Sequence, residues 1–220
     1  MDRQALADLW CEIMQRRAED FFADRPDRMT SDPRGHGRTP SLGYVGQDYE
    51  PGGDVLVGNF PGGGGSASIE RPDPEDERLY GGFQRLANAS GPAERLEAFD
   101  AMSSIWIAIQ RRHRIYQNLI SHILSAAKRN VGDVAFLNTF PFRCAENRGP
   151  TVRMRDAAWQ LAVQPQLELL APSRIFCLGV AAGRALERRY NGKAQVVVFP
   201  RSNGDRYLKQ ETRRLLQSLT

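Results

Sequence analysis

At 220 residues, 41% of them hydrophobic, the chain suits one domain with a core of ordinary size, and its composition excludes an intrinsically disordered protein. No run approaches the roughly 18 apolar residues of a membrane span. Three widely spaced cysteines, Cys11, Cys144 and Cys177, argue against a disulfide framework and against a four-cysteine metal or iron–sulfur site. The net charge of +4 is mild support for a polyanionic partner. Lysine is confined to Lys128, Lys193 and Lys209, and every other basic residue is arginine. That bias suits phosphate binding by planar guanidinium groups, and codon usage in a GC-rich genome produces it equally. His36, His113 and His122 stand in no metal-binding spacing, so neither a metal nor a cofactor is expected.

Residues 2–24 read as an amphipathic helix, with Leu6, Leu9, Trp10 and Ile13 on one face. The start of the chain has no apolar signal-peptide core, so a cytoplasmic protein is expected. Residues 25–53 are rich in Pro, Gly, Asp and Arg and read as a long loop or arm. Asp54-Val55-Leu56-Val57 is a short apolar run ending at glycine, as a buried parallel strand does. Helices are expected over 76–89 and 92–129. Further strands are Val134-Ala135-Phe136-Leu137, Arg174-Ile175-Phe176-Cys177-Leu178 and Gln195-Val196-Val197-Val198-Phe199. Helices over 151–171, 180–190 and 204–219 complete the pattern. Alternation of this kind predicts an α/β protein, a three-layer α/β/α sandwich around a central four-stranded parallel sheet. A single domain over 1–220 is expected, with helix and arm in 1–53 and the core in 54–220.

Ligands of such sheets bind outside the carboxyl ends of the strands. After the four strands come Gly58-Asn59-Phe60-Pro61-Gly62, then Asn138-Thr139-Phe140-Pro141-Phe142-Arg143, then Gly179-Val180-Ala181-Ala182-Gly183, then Pro200-Arg201-Ser202-Asn203-Gly204. Polar and turn-forming residues therefore gather at one rim.

Taken in order, these strand ends resemble the uracil-DNA glycosylase superfamily over about residues 54–219. Gly58-Asn59-Phe60-Pro61-Gly62 resembles its first motif, G-x-x-P-G after a strand, and Leu137-Asn138-Thr139 its strand-end asparagine. Leu167-Glu168-Leu169-Leu170-Ala171-Pro172, followed by Leu178-Gly179-Val180-Ala181-Ala182, is similar to L-x-x-L-x-P, strand, L-G-x-x-A. Phe199-Pro200-Arg201-Ser202 resembles H-P-S, and the shared P-G turn is closest to the thermophile-type and single-strand-selective branches. Phe199 stands where that family usually has histidine, and Phe60 where several branches carry a catalytic Asp or Asn. Gly46-Gln47-Asp48-Tyr49-Glu50 resembles the G-Q-D-P-Y motif of another branch. It lacks the proline, and residues 41–45 before it make a poor central strand, so 58–62 is read as the first motif.

The resemblance implies a base flipped into a pocket, donors on its carbonyl oxygens and a placed water. Asn59, Asp48 and Arg201 are the catalytic candidates: Asn59 or Asp48 to hold water, Arg201 to contact phosphate or donate to O2 in place of the missing histidine. Gly58, Phe60, Tyr80, Phe83 and Asn138 are the base-binding candidates. Asn138 both donates and accepts, matching the O4/N3–H edge of uracil, and an aromatic of the pair Tyr80 and Phe83 stacks on the base. Gly62, Gly63, Ser66, Arg143, Pro200, Ser202 and Asn203 are the DNA contacts. For each there is a plainer alternative: a tight turn at 58–60, a strand-end cap at Asn138, a core aromatic at Tyr80 or Phe83, a solvated arginine at Arg201.

Absence of a lysine near any motif argues against a Schiff-base lyase and for hydrolysis that leaves an abasic site. DNA containing uracil or a related damaged base is the expected partner, with no membrane, no obligate protein partner and a monomeric state. Two rival readings stay open. One is a catalytically inactive DNA-binding member of the fold. The other is a nucleotide-binding α/β protein using the Gly62-Gly63-Gly64-Gly65 run, although no G-K-[ST] follows it.

Overall fold

Each short apolar run bounded by turn residues becomes a strand. The computed structural model describes residues 2–32, 34–62, 70, 74–201 and 208–219. Its sheet contains β1 (Tyr44–Val45), β2 (Asp54–Gly58), β3 (Val134–Asn138), β4 (Arg174–Leu178) and β5 (Gln195–Phe199), in the order β1-β3-β2-β4-β5. The four expected strands are parallel, with Asp54 level with Val134 and Arg174, and Cys177 level with Val198.

The fifth strand corrects the four-stranded expectation. It is a two-residue antiparallel edge piece, Tyr44 opposite Phe136 and Val45 opposite Ala135. Gly43 makes this approach possible. Its φ is +103° and an added Cβ would stand 1.8 Å from the Phe136 carbonyl oxygen, so only glycine fits there. The expected arm over 25–53 is likewise more ordered than a loop. It holds short 3₁₀ turns at Pro26–Arg28 and His36–Arg38 and a bridge from Met29 to Cys144.

Helices cover both faces. The first helical stretch is broken into α1 (Arg3–Gln15) and α2 (Ala18–Phe22) because Arg16 and Arg17 are extended. Then come α3 (Pro74–Asn88) and α4 (Pro92–Gln110). A π-helical turn at Tyr116–Ile120 leads into α5 (Ser121–Ala126), so the expected 92–129 helix is two pieces separated at 111–113. α6 (Val152–Ala158) runs through a second π turn, Trp159–Val163, into α7 (Gln164–Leu170). α8 (Val180–Glu187) and α9 (Gln210–Gln217) complete the chain, and residues 204–207 lie outside the described residues. No described helix is long and apolar enough to cross a membrane.

Alternation along the strands sends neighbours to opposite cores. Val55, Val57, Ala135, Leu137, Ile175 and Cys177 pack with α1, α3 and α6–α8. Leu56, Phe136, Phe176, Leu178 and Phe199 pack with Leu119, Ile120, Ile123 and Leu124. Each such aliphatic or aromatic side chain contributes about 1.5–3 kcal/mol when fully buried. At the amino end of β2, fully buried Asp54 accepts hydrogen bonds from Arg174 Nε and Nη2 at 2.8 and 2.7 Å and from Arg129 Nε at 3.2 Å. This pins the lower end of the sheet and leaves the carboxyl end to the polar loops.

Candidate functional site

The chain leaves β2 for β3 on one side and returns to β4 on the other, so the crossover direction reverses at β2. Such a switch point opens a crevice outside the carboxyl ends, here at Gly58 and Gly179. Asn138, level with Gly58, is the last residue of β3 and only 7% exposed. Its carboxamide lies over Gly58, with Oδ1 2.6 Å and Phe136 Cζ 3.1 Å from where a Cβ on residue 58 would stand. Residue 58 is glycine because the asparagine fills that space. Asn138 Nδ2 donates to the Ser41 carbonyl at a long 3.4 Å. No described residue donates to its Oδ1. A largely buried amide with unused hydrogen-bonding capacity is suited to a polar ligand edge.

Asn59 is fixed from three sides. Its carbonyl accepts from Thr139 Oγ1 at 2.6 Å and from the Phe140 N–H at 3.1 Å, and the Thr139 N–H donates to the Gly58 carbonyl at 2.9 Å. From α6, Arg155 Nη1 donates to Asn59 Oδ1 at 2.8 Å and to Thr139 Oγ1 at 3.2 Å. Burial, with Arg189 and Arg188 nearby, pulls the Arg155 pKa below its ordinary value. Among the described residues no carboxylate pairs with it. A partly buried cation held by neutral groups is costly unless something anionic joins it.

Sequence reasoning missed Arg155. One signal was present: Arg153 and Arg155 follow the Thr151 cap in a helix with no acidic residue in its first turn to pair with them. The Thr151 cap, accepting from the Met154 N–H, starts that helix and aims Arg155 back at the rim.

The remaining site candidates divide. Phe60 is half-buried and packs on the Val57 side of the sheet, while Gly62 is exposed. Pro200 and Arg201 reach the rim beside Gly179, whose Cβ position is 3.8 Å from the Arg201 carbonyl oxygen. Pro200, Arg201, Asn118, Lys209 and Thr212 border a small cavity there. Gly63, Ser66, Ser202 and Asn203 lie outside the described residues.

Asp48 is a correction. The Gly46 and Asp48 N–H groups donate to the Val134 and Gly132 carbonyls, which puts Asp48 at the amino end of β3. Because β1 runs antiparallel, Ser41 borders Asn138 while Gln47 and Asp48 are carried to the opposite end of the sheet.

Tyr80 and Phe83 are also corrected, to core residues. They are 1% and 0% exposed; Tyr80 stacks on His36 at 4.1 Å between ring centres and meets the Phe83 edge. Arg143, a phosphate candidate, is instead buried over the Tyr80 ring and paired with Asp76 at 2.7 Å. Phe199 is fully buried edge-on to Phe176, on the face opposite to Phe60, so these two residues do not meet across the rim.

His36, in no motif, is buried between Asp32 (Nδ1–Oδ2 3.8 Å) and Glu77 (Nε2–Oε2 3.5 Å). The carboxylates pull its pKa up, yet burial outweighs them and holds it below the ordinary histidine value.

No protein-family model and no curated protein matches the chain.

Proposed function

We propose that the protein is a monofunctional DNA glycosylase with the three-layer fold of the uracil-DNA glycosylase superfamily, acting on uracil and other deaminated or damaged bases. The observation that carries this reading is Asn138: a largely buried carboxamide at the switch point, with one long hydrogen bond and no donor to its oxygen among the described residues. Its Nδ2–H and Oδ1 match the O4 and N3–H of a uracil edge. The reading is also supported by the four motif-bearing strand ends, which share one edge of the sheet.

In the reaction, the bond from C1′ to the base nitrogen breaks and its electron pair leaves with the base. The sugar passes through an oxocarbenium-like state, water adds at C1′, and its proton goes to solvent. Base reading falls to Asn138, the pocket floor to the backbone of residues 58–60, and phosphate contact to Arg201. Uracil leaves as a stabilised anion, so a strong base on the water is not required.

The distance of Asp48 from the rim favours one second reading, a catalytically inactive DNA-binding member of the same fold. Incubation with oligonucleotides containing uracil, hypoxanthine, xanthine or alkylated bases, followed by alkali, separates the two. Strand scission at the modified base supports the enzyme. Binding without scission on every substrate supports the inactive member. Thermal stabilisation by ATP with no DNA binding would overturn both.

A further inference from the structure

Arg155 decides which way the Asn59 amide points. A guanidinium carries only donors, so the Asn59 atom facing Nη1 at 2.8 Å must be Oδ1. The amide acceptor is therefore engaged by a cation, and the Nδ2–H₂ group is turned away from Arg155. A residue that activates water needs a free acceptor for the water's proton. Asn59 Oδ1 keeps a second lone pair, but an oxygen bound to a cation is a poor acceptor, while the Nδ2–H₂ donors face away from Arg155 with positive charge behind them. Turning the amide over would set Nδ2–H₂ against the guanidinium donors, so the Arg155 contact itself holds this orientation.

We propose that Asn59 and Arg155 form an anion-stabilising arm of the rim, in which Asn59 Nδ2–H₂ donates to an oxygen of the departing base and Arg155 acts as the positioning residue that orients the amide and supplies the charge. This rests on the glycosylase reading. It assigns to these two residues the electrostatic work for which Phe199, buried on Phe176, offers no group. As the C1′–N bond breaks, the electron pair spreads onto the base oxygens and no proton passes through Asn59 or Arg155. A partly buried cation with no carboxylate partner among the described residues is the physical counterpart of a site that becomes neutral only when an anion arrives.

The test compares uracil with 5-fluorouracil in single-turnover excision by wild type, Arg155→Met, Arg155→Lys and Asn59→Asp. Fluorine stabilises the base anion itself, so 5-fluorouracil depends less on the arm. Arg155→Met is expected to lose about 10²-fold on uracil and clearly less on 5-fluorouracil, with Arg155→Lys between wild type and Arg155→Met. Asn59→Asp removes the donor and pairs with Arg155, so excision falls while thermal stability rises. Equal losses on both bases, or an Asn59→Asp variant faster than wild type, would overturn the proposal and leave the glycosylase reading intact.

If the wild type releases no base at all, the glycosylase reading fails and inorganic phosphate decides the arm. Thermal stabilisation of wild type by phosphate that disappears in Arg155→Met upholds an anion site. Identical shifts in the two proteins overturn it.

Discussion

Asn138 Oδ1 stands 2.6 Å from the point that a Cβ on Gly58 would occupy, so the carboxamide and the glycine are fitted to one another across β2 and β3. Gly58→Ala must push the amide aside and press on Phe136, whose Cζ is 3.1 Å from the same point. Overpacking of this kind costs about 1–3 kcal/mol. Urea denaturation should show that loss, and excision should fall together with it because the amide is displaced. Unchanged stability and unchanged excision would mean that the amide does not occupy this space.

Asp54 supports the opposite end of the same strand. Asp54→Ala leaves Arg174 and Arg129 without their acceptor, and breaking a buried pair costs about 3–5 kcal/mol. Both guanidiniums are partly exposed, at 25% and 40%, and can rehydrate, so the lower end is expected. The rim lies four residues along β2, about 13 Å away at the usual strand rise. Excision per folded molecule should therefore match wild type. A loss of activity without a loss of stability would contradict this division of labour.

His36 predicts an acid-sensitive fold. Burial holds its folded pKa below the ordinary value of 6.5. Above that value the ring is neutral in both states and contributes nothing to the pH dependence. Below it, the unfolded chain binds a proton that the folded chain does not, so stability falls, by at most about 1.4 kcal/mol per pH unit. The fall ends once pH passes below the folded pKa. Urea midpoints measured from neutral to mildly acid pH should decline in wild type and decline less in His36→Gln. Equal slopes would assign the effect to other groups.

The four parallel strands are legible in the sequence because each is a short apolar run closed by glycine, asparagine or proline, and Asn138 is legible because it ends such a run. Asp48 is misleading because a local motif carries no direction. Three residues beyond an antiparallel edge strand, it reaches the wrong end of the sheet. Tyr80 and Phe83 follow the glycine loop at a plausible spacing, but spacing says nothing of the His36 ring that already covers Tyr80. Arg155 was hidden by distance, since it meets Asn59 from 96 residues away.

Base choice should be broad. On the glycosylase reading, with Phe199 buried, the O2 side of a base is left to the Asn59 amide, whose donor fits any base carbonyl, so that side is read less selectively than the Asn138 side. Excision of hypoxanthine or xanthine in addition to uracil is expected, measured as released base by chromatography. Strict confinement to uracil would contradict a loosely read O2 side.

The most direct test of a base-reading rim is single-turnover excision from an oligonucleotide with one uracil, comparing wild type with Asn138→Ala. Wild type should release uracil, and the variant, folded by circular dichroism and urea denaturation, should be slower by about 10²–10³-fold. Equal rates in the two proteins would contradict the assignment of base reading to Asn138.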